Sequence, residues 1–455
     1  MRLTGEQIAA AIGAEVVARG GDDGPRRAAI DSGKAGEGDL FFGLRGERVD
    51  GGEFTPQALE AGAWGVVVER SQARSLFVEP GQAKGERGGA RGWVFAVDDP
   101  LVALGALARE QRRALGARVV GVTGSVGKTS VKDIARALLP GRVHANEENL
   151  NTEIGLPLTV LEAAEETDLM VLEMAMRGRG QIAELAAIAE PDVAVITNVG
   201  PVHVELLGSV AGIAAAKAEI LAALPAAGIA VVPAEAGELE PHLAVAPRLL
   251  RFGSGGDVEA AEIRVGDGVT ETLVATPAGE QRFHFPFAEA HNLTNALAAI
   301  AAGVALGVPL GEMADRAASI GFSRFRGERL ELGDGIVLVN DCYNANPVSM
   351  RAALDHLATL GGGRRVAVLG EMAELGPGAA GCHREIGEHA RGAGVDLLVG
   401  VGEPAREYRP DELVGDPGEA AELLAARLEP GDAVLVKGSR SAGLEAVAEG
   451  LAELL

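Results

Sequence analysis

Eight consecutive residues carry the densest chemical signal in the chain: Thr123-Gly124-Ser125-Val126-Gly127-Lys128-Thr129-Ser130. The β-formers Val119-Val120-Gly121-Val122 precede them, and apolar Val131, Ile134, Ala135, Leu138 and Leu139 follow at helical spacing. Strand, glycine turn, Lys-Thr and helix make a phosphate cradle. Backbone N–H groups of the turn and of the helix N-terminus face the anion, and Lys128 adds a mobile positive charge. The Thr129 hydroxyl is placed to hold a Mg²⁺ that bridges phosphates. Val122 stands where the commonest phosphate loops have their first glycine, so the pattern is Thr-Gly-x-x-Gly-Lys-Thr.

Other reactive side chains gather at the ends of apolar runs. Glu173 closes the run Asp168–Leu172. A carboxylate there is either a solvated acid or a Mg²⁺ ligand, direct or through water, and its place opposite a phosphate loop favours the ligand. His203 follows Thr197-Asn198-Val199-Gly200-Pro201-Val202; lone histidines are commonly inert, and only its position at the same sheet edge marks it. Lys217 lies in an almost wholly apolar helical stretch, Val210–Leu224. It either snorkels to solvent or, as a neutral buried amine, reacts with carbon dioxide to give a metal-binding carbamate. Asn292 and Asn295 share a helix face at i and i+3; their amides suit an adenine edge or ribose, and Asn292 equally suits an N-cap. Asp341 leads into the polar turn Cys342-Tyr343-Asn344-Ala345-Asn346-Pro347, and Lys437-Gly438-Ser439-Arg440 reads as an anion-ready turn after the last strand.

The elements that must position these residues alternate strand and helix, the pattern of an α/β chain in three units. Residues 1–97 read as a small N-terminal α/β unit with a helix near Glu6–Ile12, strands near Asp39–Leu44 and Gly65–Val68, and an exposed loop or hairpin over Ser71–Gly92. Residues 98–316 read as a central phosphate-loop unit with a parallel sheet, its strands at Val119–Thr123, Leu169–Glu173, Val193–Asn198 and Ile229–Pro233. A β-meander is expected over 258–287, then a helix over Leu293–Leu306. Residues 317–455 read as a C-terminal Rossmann-like α/β unit with strands at Gly335–Asn340, Arg365–Leu369, Leu397–Val401 and Ala433–Val436, and without a G-x-G-x-x-G fingerprint. Ligands of such sheets sit beyond the C-terminal strand ends, where Gly124–Ser130, Glu173 and Asn198–His203 all fall.

Composition narrows the partners. A 455-residue chain with 47 % hydrophobic residues but only 3 % aromatics must build aliphatic, alanine-rich cores. A net charge of −24 argues against nucleic acid and anionic membranes as partners, so any phosphate site must be locally basic against the global field. Cys342 and Cys382 give neither a disulfide framework nor a metal spacing. No leader or membrane insertion is expected, Thr4 and Gln7 fit a helix capping box, and the expected setting is cytoplasmic.

Taken together, TGSVGKTS, HNLTNALAAIAAG, IDSGKAGEGDLFFGLRGERVDG, NLNTEIGLPLTVL, EMAMRGRGQI, NDCYNANPVSM, GEMAELG and LVKGSRS resemble the Mur ligase family over essentially the whole chain. The resemblance implies ATP-driven ligation of D-Ala-D-Ala to UDP-MurNAc-tripeptide through an acyl phosphate by a monomer. It implies that Lys128 and the loop amides hold the β- and γ-phosphates, that Thr129 and Glu173 bind one Mg²⁺, and that His203 and a carbamylated Lys217 serve a second. Asn292 and Asn295 would contact the nucleotide, with Arg329 and Asp341 reaching it from the third unit. Arg329 is preferred over Arg326 in the segment Arg326-Gly327-Glu328-Arg329. Ser32 would bind the uridine diphosphate end, and Asn149, Asn151, Thr152 and Arg177 would line the substrate. Tyr343, Asn344, Asn346, Lys437, Ser439 and Arg440 would lie near the D-Ala-D-Ala site. Gly33 and Gly52 depart from the family pattern, which commonly has Arg and His there. A sister ligase adding one amino acid, a folylpolyglutamate-type ligase, a phosphate-loop kinase or switch, and an idle UDP-sugar-binding module are the rival readings.

Overall fold

The computed structural model describes residues 1, 3–21, 23–46, 48–77, 92–147, 149–201, 204–266 and 268–454. Among them lie four sheets, three of them covered by helices. The first orders its strands Glu15–Ala18, Trp93–Val97, Gly65–Glu69, Asp39–Phe42, Arg27–Ala29, parallel except at the Glu15–Ala18 edge. Its first helix, Gly5–Ala11, carries the expected capping box between Thr4 and Gln7. Residues 71–77, expected in an exposed loop, instead belong to helix Arg70–Phe77: Ala73 and Phe77 stand four apart and bury one face. The rest of that expected loop, 78–91, lies outside the described residues.

The central sheet is wholly parallel, in the order Leu249–Phe252, Ile229–Pro233, Val193–Ile196, Arg118–Thr123, Leu169–Glu173, Val143–Ala145. Val143–Ala145 and Leu169–Glu173 lie on one side of Arg118–Thr123 and Val193–Ile196 on the other, so connections diverge at its C-terminal end and open a crevice there. Helix Lys128–Leu138 and helix Ala290–Ala305 pack together on one face, in a core with Val120, Val122, Val171 and Val195. On the other face, helix Pro100–Leu115 contributes Leu104 and Leu107 to a core continuous with Ile8, Phe42 and Phe95 of the first sheet. The expected meander forms a separate antiparallel sheet, Glu259–Gly266, Val269–Thr276 and Gly279–Phe285, whose Phe283 and Phe285 join the central core.

The last sheet runs Glu328–Glu331, Val337–Asn340, Ala433–Lys437, Arg365–Leu369, Leu397–Val401, Glu412–Val414. Only its first pair is antiparallel. Both edge strands escaped the sequence reading because they are short and half-polar, Glu-Arg-Leu-Glu and Glu-Leu-Val, with no apolar period to detect. No helix among the described residues is long and apolar enough to cross a membrane.

Candidate active site

Strand register assembles the centre of the site. Val122 pairs with Glu173, and Thr123 pairs with Ile196, so the phosphate loop leaves its strand between Glu173 on one side and Thr197-Asn198 on the other. The Thr123 hydroxyl, fully buried, donates to the Met174 carbonyl at 3.1 Å. Asn198 pins the loop: its carbonyl accepts Ser125 N at 3.1 Å and its Oδ1 accepts Val126 N at 3.0 Å. Close packing demands glycine twice. A Cβ at Gly124 would stand 1.8 Å from Thr197 Oγ1, and one at Gly127 would stand 2.4 Å from Asn295 Oδ1, at φ +80°. Helix Lys128–Leu138 then begins at the loop with no side-chain cap, leaving its first amides for an anion.

Lys128, half-buried, folds its ammonium back onto the Gly124 carbonyl at 3.0 Å. Burial lowers its pKa, Glu173 opposes that shift and Arg326 adds to it. The Thr129 hydroxyl donates to Glu173 Oε2 at 2.7 Å, and Asn151 Nδ2 donates to Oε1 at 2.8 Å. Lys217, on helix Val210–Ala218, is 2 % exposed rather than snorkelling. Burial holds its pKa well below the ordinary lysine value, and the neighbouring Lys128 charge lowers it further. His203 lies outside the described residues.

A cavity of about 800 Å³ opens over this centre. Ser125 to Ser130, Glu173, Asn292 and Asn295 line it from the central unit; Arg326, Asp341, Asn344, Asn346 and Lys437 line it from the last. Asn292 is not an N-cap. Helix Ala290–Ala305 starts earlier than expected, after Glu289, and Asn292 Oδ1 accepts Asn295 Nδ2 at 3.3 Å while Asn292 Nδ2 reaches Glu289 at 3.3 Å. The same Glu289 lies 3.4 Å from His356 of helix Pro347–Thr359, joining the two units behind the cavity.

The third unit differs from expectation at three places. Arg326, not Arg329, lines the phosphate-loop cavity: its guanidinium lies over the Tyr343 ring at 4.1 Å, and its buried Nε has no hydrogen-bond partner among the described residues. Arg329 falls within the edge strand Glu328–Glu331, where it pairs with Glu331 at 3.8 Å and lines an adjoining cavity of about 1480 Å³. Lys437 is no open turn residue. It ends strand Ala433–Lys437, 1 % exposed, with its ammonium 2.6 Å from Asp341 Oδ2 and 3.0 Å from the Asn344 carbonyl. Asp341 is therefore neutralised in place. Asn346 caps helix Pro347–Thr359, accepting Ser349 N at 3.0 Å. Ser439 Oγ accepts Ala373 N at 2.9 Å, and Arg440 pairs with Glu445 at 3.1 Å beside the Phe325 ring.

Several proposed substrate residues stand away from this cavity. Asn149 and Thr152 are exposed on the loop that carries Asn151, and Arg177 is exposed and reaches Glu374 of the third unit at 3.8 Å. Ser32 is half-buried in a first-unit turn where Asp31 Oδ1 accepts Gly33 N at 3.0 Å. Sequence reasoning missed Asn146 and Lys132 behind Glu173, since nothing local distinguishes a buried Lys from a surface one.

The Mur ligase middle-domain family model matches residues 122–303, the glutamate ligase domain model 325–440, and the Mur ligase catalytic domain model 28–112. UDP-N-acetylmuramoyl-tripeptide–D-alanyl-D-alanine ligases are similar throughout. That of Synechocystis is 38 % identical over 90 % of this chain and 88 % of its own, and that of Bacillus subtilis is 36 % identical over 93 % of both. Among solved structures, MurF from Acinetobacter baumannii superposes with a TM-score of 0.87 at 29 % identity, covering 99 % of this chain and 98 % of its own. MurF ligase from Thermotoga maritima in complex with ADP gives 0.82 at 31 % identity, over 94 % and 97 %. Mycobacterium tuberculosis folylpolyglutamate synthase shares the fold, at 20 % identity and a TM-score of 0.64 over 78 % of this chain and 93 % of its own.

The loop geometry generates a prediction. Gly127→Ala adds a Cβ against Asn295 at positive φ, a strain of about 1–3 kcal/mol that the loop must relieve by moving. Titration calorimetry should find ADP bound at least about tenfold more weakly; undiminished affinity would show that the loop and Asn295 do not hold the nucleotide together.

Proposed function

The chain belongs to the Mur ligase family, and we propose that it couples ATP cleavage to joining D-alanyl-D-alanine onto UDP-N-acetylmuramoyl-tripeptide. The reading is carried by one observation: a phosphate loop with Lys128 and an acid–hydroxyl pair face a cavity completed by a second unit of the same chain. A site complete within one chain supports a monomer, and the ATP and soluble nucleotide substrate it needs support the cytoplasm as its setting.

The chemistry follows from the carboxylate's poor reactivity as an acyl donor. A tripeptide carboxylate oxygen attacks the γ-phosphorus, the bond to the ADP oxygen breaks, and an acyl phosphate forms. The dipeptide amine then attacks the acyl carbon, a tetrahedral intermediate collapses, and phosphate leaves as the nitrogen loses its proton. Lys128 and the loop amides bind the β- and γ-phosphates and offset the repulsion between two anions. Asn292, Asn295, Arg326 and Asp341 orient the nucleotide, with Arg329 in the neighbouring cavity as the alternative contact. Exposed Asn149, Thr152 and Arg177, with half-buried Asn151 beside them, guide the peptide, Ser32 with its turn takes the uridine diphosphate, and Tyr343, Asn344, Asn346, Lys437, Ser439 and Arg440 frame the acceptor side.

Mg²⁺ fits the donor set. Thr129 Oγ1 and Glu173 Oε2 converge at 2.7 Å, and both are the hard oxygens this ion selects. No group of three or more His, Cys, Asp or Glu gathers for a metal among the described residues, which suits an ion that keeps waters and phosphate oxygens as its remaining ligands. When bound, it neutralises charge on the phosphates being cleaved.

Lys217 supports a carbamate. Its amine is buried beside Lys128, and among the described residues it has no carboxylate or hydrogen-bond partner. A depressed pKa leaves the neutral, nucleophilic form available to carbon dioxide; forming the N–C bond releases one proton and turns the neutral amine into an anion. That anion relieves the repulsion with Lys128 and, with His203, can serve a second Mg²⁺.

Two outcomes are expected. Phosphate release measured with D-Ala-D-Ala, meso-diaminopimelate, D-Glu and L-Glu should require D-Ala-D-Ala; turnover only with a single amino acid would assign a sister ligase. Lys217→Ala should lose about a hundredfold or more in rate and regain part of it with acetate or propionate, while the parent protein shows a carbamate resonance from ¹³C-bicarbonate. Full activity of the variant, with no such resonance, would refute the carbamate.

A further inference from the structure

Behind the phosphate loop lies a buried polar chain with no place in the chemistry above. Lys132 and Asp133 are consecutive on helix Lys128–Leu138, yet both are buried, 2 % and 9 % exposed. Lys132 Nζ lies 3.2 Å from Asp133 Oδ1 and donates to the Asn146 backbone carbonyl at 2.9 Å. Asp133 Oδ2 accepts both the backbone N and the hydroxyl of Ser323, each at 2.8 Å. Ser323 stands just before the last sheet, in the connector that leads to Arg326.

Asn146 continues the chain toward the loop. Itself 1 % exposed, it accepts Glu173 N on Oδ1 at 2.6 Å and donates from Nδ2 to the Glu173 carbonyl at 3.3 Å and to the Leu150 carbonyl. Asn146 thus clamps both backbone polar groups of Glu173, while Thr129 and Asn151 hold the two carboxylate oxygens. Polar contacts thus run from Ser323 through the Asp133–Lys132 ion pair and Asn146 to the Glu173 backbone.

Burying an ion pair is costly, and an apolar pair of similar volume would serve stability equally well or better. What the pair supplies is direction. A metal-binding carboxylate needs its orientation fixed by the groups behind it, and Glu173 sits at a strand end where the ladder alone leaves its backbone free to twist. We propose that Lys132, balanced by Asp133, is a positioning residue that sets Glu173 for Mg²⁺ through Asn146 and ties that setting to the connector at Ser323. The inference rests on the reading of Thr129 and Glu173 as the Mg²⁺ site.

The test uses the full chain with ADP and Mn²⁺ as the probe ion, free Mn²⁺ being read by electron paramagnetic resonance. Lys132→Met should need about tenfold more Mn²⁺ for half-saturation of the ADP complex, with metal-free ADP binding unchanged. Lys132→Gln, which keeps a donor for the Asn146 carbonyl, should recover most of the loss. Ser323→Ala removes one hydroxyl from a half-exposed position, keeps the fold, and should raise the requirement about threefold, the worth of one hydrogen bond. Glu173→Gln separates the two claims: if it leaves Mn²⁺ uptake unchanged, the metal reading itself fails. If it impairs uptake while Lys132→Met or Ser323→Ala does not, or if metal-free ADP binding falls equally, the relay is overturned.

Discussion

Two lysines are held side by side with so little water that each loses hold of its charge, and the charge of one further opposes that of the other. Lys217 is buried, Lys128 lies beside it at the cavity wall, and each has its pKa lowered chiefly by loss of water. The chain as a whole carries −24, so the positive character of the loop is made locally, by Lys128 and the amides at its helix N-terminus. Three acids of the cavity wall are already engaged: Thr129 and Asn151 hold Glu173, Lys437 holds Asp341, and His356 lies against Glu289. A triphosphate entering such a centre meets fixed donors and little water to rearrange, the condition under which electrostatic stabilisation of a charged transition state is largest.

That centre depends on two units meeting. The central sheet supplies the loop at its topological switch, and the last unit supplies Arg326, Asp341 and Lys437 to the same cavity. Buried pairs already hold the second set in order: Lys437 is bound to Asp341, and the Arg326 guanidinium is stacked on Tyr343. Between the units run the Glu289–His356 contact and the Asp133–Ser323 hydrogen bonds. A ligand filling a cavity lined by both units would make domain closure part of ordering the site.

Much of this was legible in the sequence, for identifiable reasons. Buried parallel strands such as Leu169–Glu173 and Ile229–Pro233 are short apolar runs with sharp ends, and their bounds agree with the structure. The phosphate loop is contiguous, so its mechanics are local. The meander announced itself through alternation and glycine turns. What stayed hidden was long-range pairing. Lys437 and Asp341 are 96 residues apart, and no local pattern says that a lysine ending a strand is spent on an acid ending another. Arg329 was preferred over Arg326 without sight of the polar edge strand Glu328–Glu331, which carries Arg329 toward the adjoining cavity and has no apolar signature. Lys132 passed unremarked in the sequence, and its burial follows from the distant loop bearing Asn146, whose carbonyl takes its ammonium.

The central claim is that this positive centre turns a carboxylate into an acyl phosphate. The direct measurement labels the terminal carboxylate of UDP-N-acetylmuramoyl-tripeptide with ¹⁸O and follows the phosphate released with ATP and D-Ala-D-Ala by mass spectrometry. One ¹⁸O should appear in each released phosphate, since the carboxylate oxygen that attacks phosphorus leaves with it. Phosphate free of ¹⁸O, with ligated product formed, would contradict the account.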